Sequence, residues 1–211
     1  MKLILIILIC TNFLFASTLK DLDITDDDFL KILHSTKKNF ILDRINDLIL
    51  LKKSLKNIDD DFIKLNAIND YFNEYNFSSD LKVYKKNDYW ATRKEFIFKG
   101  SGDCEDFVIA KYFTLLEAGV DENKLSLLHN IRKNEYHLVL AYQEEQFSDV
   151  LILDNIEKKI LPLTNRHDIL VLYTLETIDL KEDIDLTTDL QNLSNYKWTE
   201  IYLKSKRNYN N

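Results

Sequence analysis

The chain has 211 residues, 45% hydrophobic and 12% aromatic, with three glycines and one proline. That is ample for a folded unit with a real core and leaves no room for flexible linkers. The formal charge is −7, or near −8 once Lys2 is discounted, and no basic patch interleaved with aromatics offsets it, which disfavours nucleic acid as a partner.

Met1-Lys2, an apolar run from Leu3 to Ile9 that resumes at Phe13 to Phe15, and Ala16-Ser17 together have the form of an export signal over residues 1–17. Cleavage is expected near Ala16. Leu14 is bulky for the −3 position, so an uncleaved anchor stays open, while Ile9 argues against a lipidated Cys10. Residues 18–211 read as a single domain. Thr25 is a plausible N-cap, and Phe29, Ile32, Leu33, Phe40, Ile41, Ile45, Leu48 and Ile49 recur at helical spacing to about Lys56, with a break near residues 36–39. A second helix is expected over residues 60–75, with Phe62, Leu65, Ile68, Tyr71 and Phe72 on one side. Residues 81–90 read as loop with some extended structure. Thr92 and Glu95 stand at capping-box spacing for a short helix ending before Gly100. A third major helix begins at about Asp103 and stops at Gly119.

Beyond Gly119 the period changes to two. Residues 125–131, 137–143, 150–154 and 169–175 read as strands, residues 195–202 as a further strand, and residues 204–211 as a frayed tail. Helices followed by an antiparallel sheet make an α+β domain.

Chemistry is concentrated at Gly100-Ser-Gly-Asp-Cys-Glu-Asp-Phe107. With the leader set aside Cys104 is the only cysteine, and in an oxidising compartment a solitary thiol is either a passenger or a reagent. A glycine turn before it and an amphipathic helix after it place the sulfur where backbone amides and the helix dipole favour a thiolate. Cysteine catalysis also needs a base and a group that holds the base. His137 begins one strand and Asp154 ends the next. If residues 143–150 close a hairpin in which 143 pairs with 150, His137 lies diagonal to Asp154 on one face, and a one-residue slip would separate them. Taken singly, each residue has a plainer role: a buried small hydrophobe, a structural histidine, a turn former. His129, within a strand, is the one rival base. His34 and His167 read as structural, and Trp90 as core or cleft lining.

The runs Gly102-Asp-Cys-Glu-Asp-Phe-Val-Ile-Ala-Lys-Tyr-Phe113, His137-Leu-Val-Leu-Ala-Tyr142 and Leu151-Ile-Leu-Asp-Asn155 closely resemble the bacterial transglutaminase-like cysteine proteinases, over about residues 90–175. Two positions depart from the family pattern. Arg93 follows Trp90-Ala-Thr92 where proline is usual, and Leu138 follows the histidine where methionine is frequent. The resemblance implies a papain-like, transglutaminase-like α+β fold, the helical N-terminal half packed on an antiparallel sheet. It makes Cys104 the nucleophile, His137 the base and Asp154 the orienting acid; the place of Cys104 at the helix start, where amides point outward, makes its own N–H the expected oxyanion donor.

Asp103, Glu105 and Asp106 surround the thiol with negative charge, which opposes thiolate formation unless a cation cancels it. Carboxylates in a first helical turn are also favourable without one. Here the resemblance implies calcium, held by Asp103 and Glu105 with Asp106 as a weaker candidate. It further implies a periplasmic endopeptidase that cuts the N-terminal region of a large surface adhesin at a small-residue site of Ala-Ala type, controlling biofilm attachment. The implied partner is an inner-membrane cyclic-di-GMP receptor of LapD type. A cross-linking acyltransferase or a cell-wall peptidase on the same scaffold, and a non-catalytic binding module, are the alternatives.

Overall fold

The computed structural model describes residues 22–178 and 189–206. The expected export signal lies outside the described residues, as do positions 207–211 of the expected tail. Two helices, α1 (Asp26–His34) and α2 (Lys38–Leu55), open the described chain, separated at residues 35–37. Thr25 and Asp28 form a reciprocal capping box that starts α1. Asp60 caps α3 (Asp61–Asn73), whose Leu65, Ile68 and Phe72 are fully buried. Phe40 and Phe62, expected on apolar faces, are 68% and 53% exposed. The buried stripes of α2 and α3 run along positions 41, 45, 48 and 49 and along 65, 68 and 72, which turns both phenylalanines outward.

Residues expected as loop or extended instead begin with one helical turn, α4 (Asp80–Val83), because the Asp80 carboxylate accepts from Tyr89 N–H and gathers the following loop around itself. Thr92 and Glu95 close the expected capping box on α5 (Arg93–Lys99), and left-handed Gly100 (φ 70°) ends it. Arg93, in place of the family proline, reaches Glu117 with both terminal nitrogens at 2.5 and 2.6 Å, tying α5 to α6 (Cys104–Glu117). Residues 106–115 of α6 are all buried, so the helix expected to be amphipathic is instead enclosed on every side. A Schellman turn ends it: Val120 N–H reaches Leu115 C=O and Gly119 N–H reaches Leu116 C=O, with Gly119 at φ 83°.

Two short strands, β1 (Asn76–Phe77) and β2 (Ser101–Gly102), pair in parallel immediately before Cys104. The main sheet is antiparallel, in the order β6-β5-β4-β3-β7, from β3 (Leu125–Arg132), β4 (Glu135–Tyr142), β5 (Leu151–Leu153), β6 (Leu161–Pro162) and β7 (Ile169–Thr174). One face sends Leu127, Leu138, Leu140 and Leu153 into the main core with the helices, and the other carries a small cluster of Leu128, Val139, Ala141 and Ile152. The strand expected over residues 195–202 is instead part of a helix, α7 (Leu190–Lys206), which also removes residues 204–206 from the expected tail. Trp198 and Ile201 of α7 are buried, and Trp198 packs edge-on against Tyr112 of α6. A three-residue apolar spacing fits a helix, and the alternation inferred there was too short to decide the period. No helix among the described residues is long and apolar enough to cross a membrane.

Candidate active site

Gly102 delivers the chain into α6 at a point where any side chain would collide with the Asp106 carboxylate. The Asp103 side chain makes no capping bond, so the first amides of α6 are left to point outward from residue 104. Cys104 is half-buried and borders a cleft of about 240 Å³ that His137, Trp90 and His129 also line. Its Sγ donates to Glu105 Oε2 at 3.1 Å. Burial, then the Glu105 charge, pushes the thiol well above its ordinary range.

The hairpin register is the one that pairs 143 with 150. Leu140 faces Leu153 and Tyr142 faces Leu151, which sets His137 diagonal to Asp154. His137 Nε2 lies 2.9 Å from Asp154 Oδ1, and both residues are buried. Asp154 is held from every side. Arg166 Nη2 donates to its Oδ2 at 2.7 Å and Ile156 N–H to its Oδ1 at 3.0 Å. Asn73 and Lys111 donate to its carbonyl at 2.9 and 3.1 Å. Burial alone would raise this carboxyl, but the bonds from His137, Ile156 and Arg166 hold it well below the carboxylate range.

The acidic residues have different principal contacts, with Asp103 and Glu105 also in contact with each other. Asp103 and Asp106 meet Asp80, with ligand oxygens within 4.8 Å of one another. Glu105, expected among the cation ligands, has its carboxylate on the Cys104 thiol. Burial, reinforced by neighbouring carboxylates, pushes Asp106 up to about 8 and raises Asp80 and Asp103 as well. Asp80 Oδ1 and Asp103 Oδ1 are buried without a hydrogen-bond partner among the described residues. Three converging carboxylates, two of them with an unpartnered oxygen and Asp106 held by Ala91 N–H and Tyr84 OH, fit a hard cation of calcium type.

Three contributors escaped sequence reading. Asp80 and Arg166 lie in polar segments that give no signal. Lys111, wholly buried and bonded to Asn69, Asn73 and Asp154 at 2.8 to 3.1 Å, was visible only as a charge inside an apolar helical run. His34 bonds the Leu30 carbonyl four residues back, and His167 lies in an exposed turn.

A cysteine opening a buried helix, against a histidine and an aspartate on adjacent antiparallel strands, is the arrangement of a transglutaminase-like cysteine hydrolase. The family model of the bacterial transglutaminase-like cysteine proteinases matches residues 48–170. The chain belongs to that family and is a cysteine protease. Among solved structures, Legionella pneumophila LapG is 32% identical over 78% of this chain and 88% of its own, with a TM-score of 0.64. Its calcium-bound form is 33% identical over 79% and 91%, with a TM-score of 0.64. Its EGTA-treated form is 36% identical over 64% and 74%, with a TM-score of 0.59. No curated protein matches the chain.

Proposed function

We propose that the chain is a calcium-dependent cysteine endopeptidase of the periplasm, with Cys104 as nucleophile, His137 as base and Asp154 as orienting acid. The observation that carries the assignment is that Cys104 and His137 border one cleft while Asp154 is bonded to Nε2 of the ring. Because Nε2 is directed at Asp154, Nδ1 is the nitrogen left to take the thiol proton. The thiolate attacks the peptide carbonyl, and the Cys104 amide, first in α6, steadies the developing oxyanion. His137 returns the proton to the leaving amine, and a water deprotonated by the same ring then releases the acyl group.

Asp80, Asp103 and Asp106 hold the cation, with Glu105 beside them as a further donor. When bound, calcium supplies positive charge that offsets the carboxylates opposing the thiolate. This reading is supported by the calcium-bound state of the similar Legionella protein and by the unpartnered oxygens of Asp80 and Asp103. The substrate is the N-terminal region of a large surface adhesin, so that cleavage controls biofilm attachment, and the partner is an inner-membrane cyclic-di-GMP receptor. Both follow from the family resemblance.

The test is incubation with an adhesin N-terminal fragment carrying an Ala-Ala site, in calcium or in EGTA. Two products are expected in calcium and none in EGTA. Cys104→Ala should cut nothing while its stability changes by no more than about 1 kcal/mol. Cleavage by that variant, or cleavage indifferent to EGTA, would remove the nucleophile or the metal from the proposal respectively.

A further inference from the structure

His129 is unused by the proposed proton relay, yet it stands in the same cleft, 8% exposed, with no partner for its Nδ1 among the described residues. Its placement is built by the sheet. His129 pairs directly with Tyr173 across β3–β7 and with Leu138 across β3–β4, which puts Tyr136 on the diagonal. The ring is stacked between both tyrosines, with centroids 5.4 Å from Tyr136 and 4.9 Å from Tyr173. A register shift between His129 and Asn130, where β7 carries the extra residue Leu172, is what keeps Tyr173 on the His129 face while Val171 packs on the opposite one. The stack therefore fixes the plane of the imidazole and leaves only its edges free.

A buried N–H without an acceptor costs more than a bare ring nitrogen, so the proton belongs on Nε2. Burial, with His137 nearby, also favours the neutral ring. We propose that His129 is a substrate-binding residue: its Nε2–H donates to a main-chain carbonyl of the peptide lying in the cleft beside Cys104. A stacked, uncharged donor suits an extended peptide, because it recognises the backbone regardless of side chain. The inference rests on the reading of Cys104 as the nucleophile.

The experiment uses the calcium-loaded full chain and two alkylating agents. Acetyl-dialanyl chloromethyl ketone needs a peptide site, and iodoacetamide does not; each transfers its carbon to Cys104 Sγ as chloride or iodide leaves. His129→Phe, which preserves the stack, is expected to raise the half-saturation concentration of the peptidyl reagent about five- to tenfold, the loss of one hydrogen bond. Its iodoacetamide rate and pH profile should match the parent, and His129→Gln, which returns a donor, should recover most of the affinity. Unchanged peptidyl affinity in His129→Phe overturns the proposal. So does a fall in the iodoacetamide rate, which would make His129 a partner of the thiol. Failure of the parent itself to react at Cys104 with the peptidyl reagent strikes the proteolytic reading instead.

Discussion

Asp154 performs two tasks with one carboxylate, receiving the His137 ring on Oδ1 and the Arg166 guanidinium on Oδ2. Arg166 also spans Asp168, whose carboxyl it draws well below its ordinary range. Both aspartates are depressed on folding, so the stability they contribute is complete above the ordinary carboxylate pKa of about 4 and is lost as pH falls toward the folded values. Arg166→Gln leaves Asp154 buried with one partner fewer. It should cost about 3 kcal/mol at pH 7, and the variant should lose less stability than the parent between pH 7 and pH 3. Urea unfolding at the two pH values checks both statements. Parallel loss of stability in the two proteins would mean that Arg166 does not set the Asp154 proton affinity.

The strand-turn-helix unit from β2 into α6 places sulfur and acids together, and two glycines at its ends separate position from shape. Gly119, at φ 83° and with the Lys64 ammonium an ordinary 4.0 Å from where a Cβ would sit, is required for its left-handed backbone rather than for space. Gly119→Ala should cost about 1–2 kcal/mol and leave the activity of the folded enzyme alone. Gly102 has no unusual φ but faces the Asp106 carboxylate. Gly102→Ala should cost a similar amount through overpacking, about 1–3 kcal/mol, and also lower calcium affinity by displacing Asp106. Calcium titration by calorimetry distinguishes the two variants, since a common stability loss would hide the difference. The loop that follows α4 belongs to the same unit: Tyr89 N–H bonds Asp80, Ala91 N–H bonds Asp106, and Trp90 between them lines the cleft.

Across the whole molecule, the acidic cluster joins α4 to the start of α6, far apart in sequence, so a cation there braces the fold as well as the thiol. Ligand binding to the folded state alone adds about 2.7 kcal/mol at one hundred times the dissociation constant, which for a chain of this size is about 5–10 °C in Tm. That rise is expected in calcium relative to EGTA and should shrink sharply in Asp80→Asn. An Asp80→Asn protein with the full calcium shift would show that Asp80 lies outside the cation site.

Much of this was legible in one dimension. The capping residues Thr25, Thr92 and Gly119 marked helix ends because their chemistry acts within a turn, and the alternation of residues 137–143 and 150–154 marked the strands that carry His137 and Asp154, whereas the register that puts both on one face was set by the pairing of β4 with β5. Residues 195–202 belong to a helix and not to the expected strand because a segment held by Tyr112 and neighbouring core residues takes its period from distant contacts. Asp80, Arg166, Lys111 and the ring of His129 acquired their meaning only on folding: each depends on a neighbour between 12 and about 40 residues away, or on a strand register, and through-space electrostatics and burial leave no trace in residue order. The sequence by itself determined the chemical groups and the elements that carry them; tertiary structure decided which carboxylates converge on one another and which on the thiol, since that choice is made by packing.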